Sequence, residues 1–128
     1  MTDLPRALVL GEPLSLWGGM DPATGELIDA HHPQRGANLA GRAVVMPSGR
    51  GSSSSASVLA EAVRAGVAPA AILLGEPDLI LSIGSAVAEE LYGVLVPVVA
   101  LSREDIGGIV DGEPVDVGRL QPTRPDGP

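Results

Sequence analysis

Three short apolar runs mark the middle of the chain: Ala43-Val44-Val45-Met46, Ala70 to Leu74, and Pro97 to Leu101. None is interrupted by a polar residue, which is the pattern of a strand buried on both faces. Between the first two runs, Val58, Leu59, Ala62 and Val63 recur on one helical face while Glu61 and Arg64 point away. This predicts a helix that Ser52 to Ser55 open and that ends near Ala65, with Gly66 as its stop. Between the second and third runs, Ile80, Ile83, Val87 and Leu91 repeat at helical spacing. Asp78 stands where a cap is needed, and Gly93 ends that helix. Residues 43–101 therefore read as strand–helix–strand–helix–strand, which builds a parallel sheet with right-handed crossovers.

The flanks are shorter and more broken. Ala7 to Gly11 reads as a strand ending at glycine, and Leu14 to Trp17 as another ending at Gly18-Gly19. Asp21-Pro22-Ala23-Thr24-Gly25 is strong turn chemistry, after which Glu26 to Asp29 can return as a strand. Residues 30–41 are polar and turn-like. Ser102 can cap a short helical turn, and Pro114 to Val117 follows the Gly112-Glu113 turn as a last strand. These pieces predict a second, small β layer beside the central sheet. Residues 1–120 form one α/β domain, and the Pro- and Gly-rich segment 121–128 is expected to be a disordered tail.

Composition narrows the chemistry. The chain has 128 residues, 45% of them hydrophobic, but no Phe, one Trp and one Tyr, so the core is aliphatic. There is no Cys, which excludes disulfides and thiolate-held iron–sulfur clusters on this chain. The net charge is −8, and every basic residue is a scattered Arg. That argues against a nucleic-acid partner, which needs clustered cations. No apolar run reaches the ~18 residues that cross a bilayer, and Met1 to Arg6 lacks signal-peptide features, so a cytoplasmic location without a membrane partner is expected. An acidic protein that binds an anion must do so locally, at a helix N-terminus with one or two Arg.

Pro47 to Ser57 offers such a place. It follows a strand and feeds a helix, where open α/β sheets bind ligands. Gly49 and Gly51 allow close backbone approach, Arg50 suits a carboxylate or phosphate, and Ser52 to Ser55 add hydroxyls and amides. Four successive serines exceed what a helix cap requires. The loop is neither a Walker A motif, since no Lys follows the glycines, nor a nucleophile elbow. His31 and His32 are adjacent in a turn-rich loop with no carboxylate at ligand spacing, so surface or interface positions are expected. Trp17-Gly18-Gly19 reads as packing or as an interface anchor. Glu76-Pro77-Asp78 reads as a helix cap or a site carboxylate.

Taken in order, Pro13-Leu14-Ser15-Leu16-Trp17-Gly18-Gly19, Asp21-Pro22-x-Thr24-Gly25, His31-His32-Pro33, Gly41-Arg42, Pro47-Ser48-Gly49-Arg50-Gly51-Ser52, Glu76-Pro77-Asp78 and Ala88-Glu89-Glu90-Leu91-Tyr92-Gly93 resemble the swivel domain of aconitase X. The resemblance runs from Leu8 to Leu101. It implies a swivelling β/β/α-type fold and the small subunit of a heteromeric dehydratase. It implies a large subunit that carries an iron or iron–sulfur centre, with no cofactor on this chain. Ser52 is the implied general base, acting as its alkoxide, with Arg50, Gly51, Ser53, Ser54 and Ser55 around a small anionic substrate. Trp17, Gly18, Gly19, His31 and His32 are the implied interface or site wall. The family's activities imply cis-3-hydroxy-L-proline as substrate, with mevalonate 5-phosphate as the alternative. Family members usually place another serine four residues after the first, where this chain has Ala56. Two other readings remain: a stand-alone anion-binding module, and a serine hydrolase using His31 or His32.

Overall fold

The computed structural model describes residues 3–122. Four parallel strands, β1 (Ala7–Val9), β2 (Ala43–Met46), β3 (Ala71–Leu74) and β4 (Val98–Ala100), lie in the order β1-β2-β3-β4. The register pairs Val45 with both Val9 and Leu73, and Leu73 with Val99. Side chains alternate across the sheet, so each strand feeds two cores. Leu8, Val44, Met46, Ile72 and Leu74 pack beneath helices α2 (Ser55–Ala65) and α3 (Leu79–Tyr92). Ala7, Ala43, Val45, Ala71 and Leu73 pack on the opposite face with Leu101 and Val115, beside the short helix α4 (Arg103–Gly107). Two-sided burial is why β2 and β3 read as continuous apolar runs.

The helix boundaries follow from their caps. Asp78 Oδ1 accepts the Leu81 amide at 2.9 Å and starts α3, and Ser102 Oγ accepts the Asp105 amide at 3.1 Å at α4. Gly66 and Gly93 end α2 and α3 in the left-handed conformation, as expected. Helix α2 begins at Ser55 rather than at Ser52. Ser52 Oγ accepts the Ser54 amide at 3.1 Å, and the Ser52 carbonyl accepts the Ser55 amide at 2.9 Å. This side-chain turn competes with helix and holds Ser52–Ser54 as a separate entry.

The second β layer takes the form of isolated bridges rather than strands. Met20 pairs with Leu27, Glu26 with Asn38, and Arg6 with Pro114, each as a single antiparallel bridge. Leu14 makes one parallel bridge to Gly49, and Leu16–Gly19 is a single kinked helical turn, α1, instead of a strand. Gly18 at φ 78° sets that kink. Pro114–Val117 likewise gives a bridge and then a 3-10 turn at Val117–Arg119. Of the expected disordered tail, Gln121 and Pro122 are described and exposed, and residues 123–128 lie outside the described residues. Among the described residues no helix is long and apolar enough to cross a membrane.

Candidate active site

The Pro47–Ser54 segment leaves β2 at its carboxyl end and is fixed by three close approaches. Gly49 lies against the Asp78 carboxylate, in the space a Cβ would fill. Gly51 has φ 118°, and a Cβ there would come within 2.6 Å of Ser15 Oγ. Gly75, after β3, lies against the Pro47 carbonyl, 2.7 Å from where its Cβ would stand. Glycine is therefore required by backbone contact at Gly75 and by backbone conformation at Gly51, while a side chain at Gly49 would displace the Asp78 carboxylate.

The segment lines a shallow, solvent-open cleft, walled by Arg50, Gly51, Ser52, Ser55 and Asp78 with Leu14, Leu16, Ile80 and Leu81. Ser52 is half-buried. Its Oγ receives the Ser54 N–H, and no acceptor among the described residues takes the amides of Ser52 and Ser53. Arg50 is exposed and makes no ion pair or hydrogen bond among the described residues. The cleft thus offers a hydroxyl that already receives an amide, two free amides at the entrance to α2, and a free guanidinium. Each of these favours negative charge on Ser52 Oγ or on a bound acid.

The other expected site residues divide. Ser53 and Ser54 are exposed beside the cleft. Ser55 is buried: its Oγ accepts the Trp17 amide at 3.3 Å and lies 3.4 Å from Ser15 Oγ, which donates to the Trp17 carbonyl. It forms the cleft floor and ties α1 to α2. Trp17 is 58% exposed, a large apolar surface beside the Ser55 contact. Gly18 is exposed, whereas Gly19 is buried against Leu14. His31 is exposed. His32 is buried and structural: Nε2 donates to the Glu12 carbonyl and Nδ1 accepts the Gln34 amide, both at 3.1 Å. That corrects its expected place on an interface or site wall, because both ring nitrogens serve the fold. Neither histidine lines the cleft with Ser52, so the structure does not assemble a serine–histidine hydrolase pair.

Two contributors stand outside the expected set. Ser15 supports both Gly51 and Ser55, although it lies 40 positions from Ser55. Asp78 lines the cleft while capping α3; the Glu-Pro-Asp sequence after a strand signalled both roles but not their coexistence. Among the described residues no three His, Asp or Glu side chains gather as a metal site.

The chain matches the family described as aconitase X swivel domain over residues 5–122. It belongs to that family. It is 49% identical over 110 residues to the cis-3-hydroxy-L-proline dehydratase of Pseudomonas aeruginosa, a match covering 78% of this chain but 19% of that protein. It is 35% identical over 104 residues to the phosphomevalonate dehydratase small subunit of Methanothermobacter thermautotrophicus, covering 81% of this chain and 75% of that one. The crystal structure of holo-form aconitase X from Thermococcus kodakaraensis superposes with a TM-score of 0.73 at 31% identity, over 84% of this chain and 76% of that chain. The chain thus spans about a fifth of the hydroxyproline dehydratase and most of the small-subunit relative. The swivel-domain resemblance of the sequence motifs is borne out, with the parallel α/β sheet that it implied.

Proposed function

We propose that this swivel domain is the small subunit of an aconitase X-type dehydratase that acts on a small hydroxy acid, with cis-3-hydroxy-L-proline as substrate and Ser52 as the general base. The observation that carries this reading is the hydrogen bond from the Ser54 amide to Ser52 Oγ, at the entrance to α2 and in one cleft with Arg50. Dehydration removes a proton from the carbon beside a carboxylate and hydroxide from the next carbon. A serine hydroxyl is a poor base in water. An N–H donor, a helix N-terminus and a nearby guanidinium all lower the energy of its alkoxide, more so once water is excluded. Arg50 suits the substrate carboxylate in a bidentate contact.

Two further observations support a partner. The cleft is shallow and open to solvent, with enclosed room for little more than one water, far less than an ordinary ligand site encloses, as befits half of a site. Leu79, Ile83, Val87 and Leu91 form an exposed apolar row along α3 that starts beside the cleft, and Trp17 is exposed on α1. Large exposed apolar surface of this kind marks interaction sites. We assign that surface to the large catalytic subunit. The iron or iron–sulfur centre that the family resemblance implies is assigned to that subunit too. Closure of the two parts then excludes water and completes the site. The 49% identity to a cis-3-hydroxy-L-proline dehydratase supports the substrate choice.

The test is to purify the tagged chain from its own cell extract, identify co-purifying proteins, measure iron, and assay cis-3-hydroxy-L-proline and mevalonate 5-phosphate. An iron-bearing large chain with turnover of the hydroxyproline is expected. Turnover of the phosphate compound instead would replace the substrate. A chain without partner or turnover would leave an anion-binding module and remove Ser52 as base.

A further inference from the structure

Asp78 closes the same cleft as Ser52 and Arg50, and its two oxygens have different occupations. Oδ1 is committed to the fold, as the acceptor for the Leu81 amide at the start of α3. Oδ2 lies over Gly49 and makes no hydrogen bond or ion pair among the described residues. It is not a sealed, unsatisfied atom either, since no such side-chain atom occurs among those residues. Oδ2 therefore reaches solvent. Arg50 is equally unpaired, and the two opposite charges share this small cleft without bridging each other.

A ligand carrying one charge satisfies only one of these groups and leaves the other unpaired or repelled. A zwitterion satisfies both. In an α-amino acid a single carbon bears the carboxylate, the ammonium and the acidic hydrogen. The cleft presents a guanidinium, a carboxylate and a hydroxyl. We infer that Asp78 is a specificity-determining residue that binds the substrate ammonium through Oδ2, so that the cleft selects a zwitterionic 3-hydroxy amino acid over a phosphorylated hydroxy acid. The inference rests on the dehydratase reading and deepens it. A phosphate placed here meets a carboxylate that repels it, which is selection by exclusion as well as by attraction.

The informative variant is Asp78→Asn. Asn is as good a cap as Asp and nearly the same size, so α3 keeps its start while the charge is lost. In the complex with the large subunit, kcat/KM for cis-3-hydroxy-L-proline is expected to fall at least about tenfold, carried by KM, as for loss of a charged hydrogen bond. The thermal midpoint should stay at the wild-type value. Calorimetric binding of the same compound to the Ser52→Ala complex should weaken by the same factor when Asp78→Asn is added. Binding of the cyclopentane analogue, which lacks the ring nitrogen, should not change. An unchanged KM and Kd, or equal weakening for both compounds, would overturn the inference. If the binding difference holds while the wild-type complex turns over neither compound, Asp78 stands and the dehydratase reading fails.

Discussion

Helices α2 and α3 meet through backbone at Gly84, and that contact sets a measurable balance. A Cβ at Gly84 would stand 2.9 Å from both the Cα and the carbonyl oxygen of Ala56. Ordinary contact begins near 3.4 Å, so Gly84→Ala requires the helices to part by about half an ångström. Two effects oppose each other. Replacing a helical glycine by alanine gains about 0.8–1 kcal/mol of helix propensity. Overpacking a tight contact costs about 1–3 kcal/mol, and backbone atoms cannot rotate out of the way. The contact wins, and the net loss is about 1 kcal/mol, worth about 3–6 °C in thermal midpoint for a chain of this length. Urea unfolding followed by circular dichroism reads it, with Ala86→Gly on the exposed side of α3 measuring the propensity part alone. If Gly84→Ala proves as stable as the wild type or more so, the helices do not touch as described and the reasoning fails. The same displacement reaches the site, because Ala56 lies next to Ser55 on the cleft floor. An error of about 1 Å in a catalytic group costs on the order of 100-fold, so a shift of about half that should lower kcat by roughly tenfold.

Ser52→Ala should lower kcat of the reconstituted enzyme by about 100-fold or more while the complex still elutes at its native size; retained turnover would remove Ser52 as the base. Arg50→Ala should raise KM by about tenfold with unchanged unfolding, and an unaltered KM would place the substrate carboxylate elsewhere. Ser85 is buried and donates its hydroxyl to the Val96 carbonyl. Ser85→Ala leaves that carbonyl without its donor and should cost about 1–3 kcal/mol, read as a lower urea midpoint; an unshifted midpoint would show that water reaches Val96.

The central sheet was legible because burial on both faces writes uninterrupted apolar runs, and because Asp78, Gly66 and Gly93 mark helix ends with local chemistry. The flanks were not. Leu14–Trp17 and Glu26–Asp29 have strand-like composition, but they form only isolated single bridges, one for the first and two for the second, and partner supply is a tertiary property. Helix α2 was placed three residues early because four serines cap and turn equally well on paper, and only the Ser52–Ser54 bond decides between them. His32 carried no sign of burial in its neighbours, since its two partners are backbone groups. The loop as a candidate site was readable from Gly49 to Ser55. Ser15 was not, because it acts across 40 positions, and for Asp78 the sequence offered cap or site carboxylate as alternatives where the structure makes it both.

The turn that carries Ser52 has almost nowhere to go. Gly49 is seated on Asp78, Gly51 on Ser15, and Ser55 is bonded to the Trp17 amide, so each side of the turn is anchored to a different element. A tether of this kind removes local adaptation: the turn cannot fold over one substrate and open for another. If Ser52 is the base proposed above, bringing it to a reacting carbon means moving the whole domain with it, and turnover should then slow as solvent viscosity rises, a dependence that a mobile loop would escape.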